Sequence, residues 1–321
     1  MSCSEKFHIL EIRDLSVSFR PVSYTHLDVY KRQDSNRITR EYMDSLLLEM
    51  RHLDGKLPVT EMELYGETFA TPVMTAALSH LNNVHETGMA GLAEGAHLAG
   101  AVNWAGMGDE EELERITATG ARTIKIIKPY EDNDYIISRI RHAEKCGVLA
   151  VGMDMDHAFS WKGTYDNVCG MQMKAKSLEE LKEFVKATKL PFIVKGVLSE
   201  RDAYKCLEAG VQGIVVSHHH GIMDYAVPPF KILPSIAKVI QKQIPVFVDC
   251  CIESGADVLK ALALGADAVC VGRALMGPLG EKGPEGVREK IESITEELAG
   301  MMAHTGCADL AHIDPEIIWN R

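Results

Sequence analysis

Short apolar runs alternate with longer amphipathic segments from about residue 72 to the C-terminus. The runs are rich in Val, Ile and Ala and lack the in-and-out alternation of a strand with one face in water. Such runs are typical of parallel strands that are covered on both faces. They predict eight strands, at residues 72–77, 100–104, 122–127, 148–154, 192–197, 213–217, 246–249 and 268–272.

The segments between these strands have the apolar spacing of amphipathic helices. Several begin at a capping serine, as at Ser177, Ser199 and Ser254, and several end in a glycine, as at Gly120 and Gly210. These residue types are the usual boundaries of a helix. The predicted helices cover residues 87–98, 110–119, 132–145, 177–188, 199–208, 231–240, 254–264 and 285–303.

Eight strand–helix pairs in about 230 residues have the size of a TIM (β/α)₈ barrel. The alternative α/β arrangement, a doubly wound sheet, usually carries a G-x-G-x-x-G turn after its first strand. No such turn follows residue 77. We therefore predict an α/β protein that consists of a TIM barrel with a short N-terminal helical and hairpin extension.

The N-terminal residues differ in character from the barrel. Residues 21–33 read PVSYTHLDVYKRQ, which resembles a translated sequencing adapter, and residues 7–19 resemble the first strand of an ABC-transporter ATPase. An ordinary polar extension is the alternative. We predict that residues 1–33 are a non-native segment and that residues 34–321 form the barrel domain. Within that domain the pattern predicts a helix at 40–52 and a hairpin at 61–69 that turns at Gly66.

Composition and charge exclude several classes of function. The chain has 321 residues, 46% of them hydrophobic, and a net charge of −12. Such an acidic surface disfavours nucleic acid and anionic membranes as partners. No apolar run approaches the ~20 residues of a membrane span, and no signal-peptide pattern is present. The eight cysteines lack metal-binding spacing, so we expect reduced thiols in a cytoplasmic protein.

Polar residues close the predicted strands, at the end of the barrel where TIM-barrel active sites lie. Lys195 closes the fifth strand, where a cation beside an anionic ligand or a lysine that reaches the rim would fit. Ser217 and three histidines close the sixth strand. A histidine base paired with Asp154, from the fourth strand, is better supported than a metal site, since acidic partners at metal spacing are missing.

Asp249 closes the seventh strand, and Gly272 and Arg273 close the eighth. The loops after these strands form the usual phosphate site of the fold. Gly272 lets the backbone approach a ligand, and the Arg273 guanidinium supplies a fork of donors. A solvated arginine is the alternative. The pattern predicts a phosphate-bearing cofactor whose reactive part lies near strands four to six, and no metal.

Three segments carry a family resemblance: PFIVKGVLSERDAYKCLEAGVQGIVVS, LPSIAKVI and DVLKALALGADAVCVGRAL. They resemble the FMN-dependent α-hydroxy-acid oxidases and dehydrogenases, which include glycolate oxidase, lactate oxidase and mandelate dehydrogenase. The resemblance extends from about residue 40 to the C-terminus. It implies FMN as the cofactor, a small-molecule substrate and, by analogy, a homotetramer.

The resemblance also implies roles for single residues. His219 matches the base that takes the substrate's hydroxyl proton, and Asp154 matches the carboxylate that orients it. Lys195 matches the cation that stabilises negative charge on the reduced flavin. His220 is a second candidate for the base or a substrate contact. The implied FMN-binding residues are Met74, Thr75, Ala76, Lys125, Lys195, Ser217, Asp249, Gly272 and Arg273.

The chain departs from the family pattern around the substrate and the phosphate. The family's S-N-H-G-G-R-Q-L-D reads SHHHGIMD from Ser217, so the arginine that holds the substrate carboxylate is missing. The family's D-G-G-[IV]-R reads DCCIE from Asp249, which places Glu253 where an arginine is expected. A carboxylate there repels a phosphate unless it turns away. The family's Q-x-Y reads KII from Lys125, which removes a tyrosine and introduces a cation.

Three functions are compatible with this sequence. The first is an FMN-dependent oxidoreductase whose substrate is not a simple α-hydroxy acid, with hydride transfer between substrate and flavin N5 and a histidine base. The second is an ordinary 2-hydroxy-acid oxidase of the lactate or glycolate type that uses Lys125 to hold the substrate carboxylate. The third is a non-catalytic barrel that binds a phosphorylated ligand.

Overall fold

The structure, a computed structural model, describes residues 33–319. The predicted non-native segment lies outside the described residues, apart from Gln33. The strands are β1 (Leu47–Leu48), β2 (Met62–Leu64), β3 (Glu67–Phe69), β4 (Val73–Thr75), β5 (Asn103–Ala105), β6 (Thr123–Ile127), β7 (Ala150–Asp154), β8 (Asn167–Val168), β9 (Met171–Gln172), β10 (Phe192–Val197), β11 (Gly213–Val216), β12 (Val246–Val248), β13 (Ala268–Val271) and β14 (Ile318–Trp319).

The main sheet contains eight strands in the order β4-β13-β12-β11-β10-β7-β6-β5, and every neighbouring pair is parallel. Its two ends meet. The Thr75 amide donates to the Val102 carbonyl at 3.2 Å, and Leu78 forms a parallel bridge with Ala105. Strand β4 therefore lies beside β5, and the TIM barrel predicted from the sequence is confirmed.

Helices cover the outside of the barrel. They are α1 (Gln33–Ser45), α2 (Gly88–Leu98), α3 (Glu110–Ala118), α4 (Asn133–Lys145), α5 (Leu178–Lys186), α6 (Glu200–Ala209), α7 (Pro229–Ile240), α8 (Gly255–Ala263), α9 (Met276–Lys282) and α10 (Pro284–Thr305). The three predicted serine caps each accept a first-turn amide hydrogen bond. Helix α9 was not predicted, because its sequence MGPLGEK contains two glycines and a proline that favour a turn. Within residues 33–319 no helix has the length and apolar character that crossing a bilayer requires.

The helix predicted at residues 40–52 is wrong at its C-terminal half. Helix α1 ends at Ser45, and β1 then pairs antiparallel with β14, with Leu47 opposite Trp319. The Glu49 amide continues this contact by donating to the Ile317 carbonyl at 2.8 Å. A partner strand so distant in sequence leaves no local signal, so the apolar spacing alone favoured a longer helix.

The predicted hairpin at residues 61–69 is confirmed as β2 and β3, and Gly66 occupies its turn with φ +82°. The Tyr65 hydroxyl donates to the Gln212 carbonyl at 2.8 Å, and Arg122 donates to Glu67 at 2.7 Å. Gln212 and Arg122 directly precede barrel strands. The hairpin therefore covers the N-terminal end of the barrel and leaves the C-terminal strand ends for chemistry.

Large side chains fill the interior of the barrel. The rings of Trp104 and Phe247 meet edge to face with centroids 5.4 Å apart, a favourable geometry for aromatic pairs. Both side chains are fully buried, as are those of Ile124, Ile193 and Val215 around them. The middle of the barrel is thus a packed core, as in other barrels of this size, and does not hold a ligand.

Helix α1 fixes two loops at the C-terminal end of the barrel. Arg40 donates to both carboxylate oxygens of Asp257, at 2.8 and 3.1 Å, and also to the Cys251 carbonyl. The Ser35 hydroxyl donates to the Met223 carbonyl at 2.6 Å. Asp257 is 3% exposed and the Arg40 side chain 31% exposed, so this bidentate pair is partly shielded from water. Together with the Ser35 contact it holds the loops after β11 and β12 against α1.

Candidate active site

Asp154 and Lys195 close neighbouring strands in the same register. Strands β7 and β10 pair in parallel with Asp154 opposite Lys195. Directly paired residues on neighbouring strands point to the same face of the sheet. Their side chains lie 3.3 Å apart at the C-terminal end of the barrel and are almost completely buried. Lys195 also lies 3.6 Å from Asp249, so the structure brings three predicted site residues together.

Asp154 is the centre of a buried charge cluster. Lys128, directly after β6, donates to its Oδ2 at 2.6 Å, and Lys195 donates to its Oδ1 at 3.3 Å. Burial alone would raise the pKa of Asp154, but His219 and the two lysines hold that pKa well below its usual range. Burial alone would lower the pKa of Lys195, but Asp154 and Asp249 raise it well above its usual value. Asp154 and Lys195 are therefore both charged at neutral pH.

His219 joins this cluster through Nδ1, which lies 2.9 Å from Asp156 Oδ1 and 3.3 Å from Asp154 Oδ1. Lys195 Nζ also lies 3.4 Å from Nδ1, but the two carboxylate oxygens are nearer, so the proton is assigned to Nδ1, which leaves Nε2 as the acceptor of the neutral ring. Burial lowers the pKa of His219, but the two carboxylates outweigh burial and raise it above its ordinary value. His219 can therefore exchange a proton at Nε2 while Nδ1 stays fixed.

The structure separates the three consecutive histidines, which sequence could not do. His218 is buried; its Nδ1 accepts from the Gly221 amide at 3.0 Å, so Nε2 donates to Thr39 at 2.9 Å. Burial lowers the pKa of His218, which fits a neutral ring with a structural role. His220 is exposed, and its carbonyl accepts from Asn36. Of the three, only His219 contacts the charge cluster; a substrate contact by His220 stays a prediction.

The predicted cation Lys125 does not contact this cluster. Its ammonium group donates to the Gly106 carbonyl, and burial, aided by Arg139, lowers its pKa to about 8. Lys128, three residues later, takes the place beside Asp154. The role of Lys125 toward flavin or substrate stays a prediction, and Lys128 is a second cation that was not predicted from the sequence.

Asp156 and His157 were also missed. They lie on a 3₁₀ turn, Met155–Ala158, directly after β7. The His157 ring meets the His219 ring edge to face at 4.8 Å. The signal was present in the sequence as the string DMDH at a strand end, together with the KIIK string that ends in Lys128. Alternate residues at a strand end point to the same side, so these spacings could have been used.

Acidic partners at metal spacing are present, contrary to the sequence-based expectation. Asp154, Asp156 and His219 each offer a ligand atom, and these atoms lie within 4.8 Å of one another. However, Lys128 and Lys195 occupy both oxygens of Asp154. A divalent cation would have to enter beside two ammonium groups, so the arrangement favours an ion-pair cluster over a metal centre.

The predicted phosphate end offers a free cation. Arg273 is exposed, and its guanidinium makes no hydrogen bond or ion pair with any residue in the described part of the chain. It lies close enough to His220 and Cys251 for its charge to act on both. Glu253 is also exposed and its side chain contacts no partner among residues 33–319. This end of the barrel therefore has an unengaged guanidinium for an anion, with one carboxylate nearby.

The first strand contributes backbone and buried side chains. Thr75 donates to Asn103 Oδ1 at 3.0 Å and accepts from the Trp104 amide, so its hydroxyl is used within the barrel. Met74 accepts from the Trp104 ring nitrogen. Ala76 lies beside Gly272, where an added Cβ would be 3.4 Å from its own. Any ligand contacts of Met74, Thr75 and Ala76 stay predictions.

Four residues around the site have left-handed backbone conformations without being glycine. They are His219, His220, Cys250 and Cys251, with φ of 49°, 56°, 76° and 61°. The family pattern has glycines at the two cysteine positions. A side chain in this region costs roughly 1–2 kcal/mol. Such strain is concentrated at functional sites in many proteins and here lines the ends of β11 and β12.

Cys251→Gly is expected to raise the free energy of unfolding by about 0.5–1 kcal/mol, because relief of the left-handed strain exceeds the added flexibility of glycine. The Cys251 thiol has two weak contacts, 3.6 Å from the Asn36 carbonyl and 3.8 Å from Asn36 Oδ1, and their loss offsets only part of this gain. Urea unfolding at neutral pH measures the change. Cys251→Ala keeps a Cβ and serves as the control; an equal gain from both variants would show that strain is not the cause.

Comparison with known proteins identifies the family. The FMN-dependent dehydrogenase family matches residues 28–177 and 162–320. The 4-hydroxymandelate oxidase of Amycolatopsis orientalis is 32% identical over 282 residues, which cover 77% of this chain and 79% of the relative. The L-lactate oxidase of Lactobacillus jensenii is 28% identical over 291 residues, which cover 80% and 71%.

A crystal structure of mandelate oxidase has the same fold, with a TM-score of 0.81 at 28% identity over 88% of this chain and 89% of that chain. The geometry fits an FMN cofactor. The unengaged Arg273 suits its phosphate, and the charged Lys195 at the strand ends suits a flavin that becomes negative on reduction. The chain belongs to the FMN-dependent dehydrogenase family, as an oxidoreductase that acts on CH–OH groups with FMN as its cofactor.

Proposed function

We propose that this protein transfers hydride between flavin and the carbinol carbon of a small alcohol that is not a simple α-hydroxy acid, with His219 handling the hydroxyl proton. The observation that carries the proposal is His219 itself, held at Nδ1 by two carboxylates with Nε2 left as the acceptor. Relatives named mandelate and lactate oxidases act on α-hydroxy acids. In this chain no arginine contacts the described cluster, which is where a substrate carboxylate would need one.

In the proposed mechanism, FMN would supply the hydride acceptor when it is bound, and the residues of the chain would bind the substrate and move its proton. His219 Nε2 takes the hydroxyl proton during oxidation and returns it during reduction. Asp154 and Asp156 stabilise the imidazolium that forms between these steps. Lys195, kept charged by Asp154 and Asp249, stabilises negative charge that develops nearby, while Arg273 and Gly272 would hold the cofactor phosphate.

The charge of the site supports a substrate that is not anionic. Asp154, Asp156 and Asp249 contribute three negative charges, and Lys128 and Lys195 contribute two positive ones. With neutral His219 the cluster is net negative. Adding a substrate carboxylate would place a second uncompensated charge in a partly dry site, which is costly.

One observation favours an ordinary 2-hydroxy-acid oxidase instead. Lys128 is 8% exposed, yet its ammonium makes a single hydrogen bond, to Asp154, within the described chain. Two N–H donors of a buried ammonium are then available to a carboxylate. In this alternative Lys128, and not Lys125, would hold the substrate, because Lys125 lies outside the cluster.

The test begins with the absorbance spectrum of the purified protein before and after FMN is added. Pairs of substrates then separate the alternatives: lactate against methyl lactate, and mandelate against methyl mandelate, each mixed anaerobically with the flavin-loaded protein. Faster bleaching by the neutral esters is the expected result. Faster bleaching by the acids would favour the 2-hydroxy-acid oxidase. A loaded protein that responds to neither would point to a non-catalytic barrel, and a lack of FMN uptake would reject the proposal.

Assembly and location are part of the proposal. By analogy with the family we propose a homotetramer in the cytoplasm, without a nucleic-acid partner. The net charge of −12 supports the last point. Light scattering of the purified protein measures its mass in solution, and a mass of one chain would reject the tetramer.

Glu253→Arg is expected to tighten FMN binding about tenfold, or about 1.4 kcal/mol, because a guanidinium replaces a carboxylate near the cofactor phosphate. Quenching of flavin fluorescence on titration of the flavin-free protein measures the Kd. Glu253→Gln removes the charge without adding a cation and should give an intermediate value. Equal affinity in all three proteins would place residue 253 outside the phosphate site.

A further inference from the structure

His219 lies between two carboxylates that are not equivalent. Asp154 has both oxygens engaged, Oδ2 by Lys128 at 2.6 Å and Oδ1 by Lys195 at 3.3 Å. Its distance to His219 Nδ1 is 3.3 Å. Asp156 lies closer to Nδ1, at 2.9 Å, and has no lysine within ion-pairing distance. Asp156 is therefore the closer of the two carboxylates and the one that no lysine shares.

The backbone of the neighbouring strand makes room for Asp156. Gly196 has φ +92°, at a point where the register between β10 and β11 shifts. A Cβ at Gly196 would lie 2.4 Å from Asp156 Cγ and 2.6 Å from its Oδ2. Any other residue at 196 would therefore displace the carboxylate. The Asp156 side chain packs directly against this glycine and is 12% exposed.

Only one of the two carboxylate oxygens of Asp156 makes a hydrogen bond. Its Oδ1 accepts from His219, whereas its Oδ2 is buried and has no hydrogen-bond partner in the described structure. A buried carboxylate with an unused oxygen is costly unless a nearby positive charge compensates it. Within this arrangement, a protonated His219 supplies that charge at the shortest distance.

We propose that Asp156 is the positioning residue that orients His219 and, together with Asp154, stabilises its protonated form, while Asp154 is also shared by Lys128 and Lys195 as their counter-ion. The part of this inference that concerns proton transfer to substrate rests on the proposed function. The part that concerns the orientation and protonation of His219 does not, since it follows from the protein alone.

The pH at which His219 loses its proton is the direct readout. The charged and titratable groups around it are Asp154, Asp156, His157, Lys128, Lys195 and His220. Removing the negative charge of Asp156 leaves the lysines in place, and these disfavour the imidazolium. Asp156→Asn should therefore lower the pKa of His219 by about one unit, while the amide still contacts Nδ1.

Nuclear magnetic resonance of the FMN-loaded protein, labelled with ¹⁵N at histidine, measures this pKa and the tautomer together. The signal of His219 is identified by its loss in His219→Gln. Asp166→Asn is the matched control, because Asp166 lies 3.2 Å from the neighbouring His157 and does not contact His219. Lys128→Gln is a second variant, and it should raise the pKa of His219 by removing a repelling charge.

The expected result is a lower midpoint in Asp156→Asn, an unchanged midpoint in Asp166→Asn and a higher midpoint in Lys128→Gln. A shift smaller than about 0.3 unit in Asp156→Asn, with the Nδ1-protonated tautomer kept, would overturn the proposal. The pH profile of flavin reduction should move in the same direction as the midpoint. If no alcohol reduces the flavin, the proposed function fails while the resonance measurement still decides the role of Asp156.

Discussion

Replacing His219 by glutamine is expected to slow flavin reduction by the best substrate about 10²- to 10⁴-fold while FMN stays bound. Glutamine can donate to Asp156 in place of Nδ1, so the carboxylate keeps a partner. What it cannot do is accept the hydroxyl proton, because an amide is not a base at neutral pH. Anaerobic stopped-flow absorbance measures the reduction rate, and the flavin spectrum of the resting variant reports cofactor binding.

His218→Gln and His220→Gln are the controls for this experiment. His218 donates to Thr39 and accepts from Gly221, so its loss should affect stability more than rate. His220 is exposed and lies outside the charge cluster. A loss of rate in His220→Gln as large as in His219→Gln would mean that the base had been assigned to the wrong histidine.

Asp154→Asn is expected to lower the free energy of unfolding by about 3–5 kcal/mol, the usual effect of removing one partner from a buried ion pair. The cost arises because the ammonium groups of Lys128 and Lys195 stay buried without their shared counter-ion. Urea unfolding at neutral pH measures the difference. Glu289→Gln is the matched control: Lys282 and Glu289 lie at the same 2.6 Å as Lys128 and Asp154, but are 57% and 45% exposed.

Glu289→Gln, which breaks the exposed Lys282–Glu289 pair, should lower the free energy of unfolding by less than about 1 kcal/mol. The effect of Asp154→Asn should also depend on pH in one direction. The pKa of Asp154 is depressed in the folded protein, so its stabilisation is complete above about pH 4, the ordinary range of an aspartate. It is lost as the pH falls toward the folded pKa, and the two proteins should then converge. Similar losses for Asp154→Asn and Glu289→Gln at pH 7 would contradict the idea of a buried, charged Asp154.

The barrel could be predicted from sequence because its signals are local. Each parallel strand is a short apolar run and several helices begin at a capping Asp or Ser, so no knowledge of distant partners was needed. The boundary of α1 could not be predicted, since it depends on the pairing of Leu47 with Trp319 from the far end of the chain. The short helix α9 was hidden by residues that usually mark turns.

The site residues were predictable where a strand ends in a single candidate residue. They were ambiguous after β11, where three consecutive histidines follow the strand. Lys195 and Asp154 could be placed, because β7 and β10 are neighbours in any TIM barrel. The choice between His219 and His220 depends on left-handed backbone angles that no spacing rule reveals. Asp156 and Lys128 were missed because their importance comes from contacts with other strands, although each follows a strand that was correctly predicted.

Helix α1 lies before the first barrel strand and is not part of the (β/α)₈ repeat, yet it contributes to the active-site end of the barrel. A TIM barrel can in principle be cut just before its first strand, and the eight strand–helix repeats then remain whole. Here such a cut would remove Arg40 and Ser35, and with them the clamp on the loops after β11 and β12. We therefore expect that the smallest active fragment of this protein includes α1. Transfer of the active site to another barrel would require this helix as well, although it lies outside the eight strand–helix repeats.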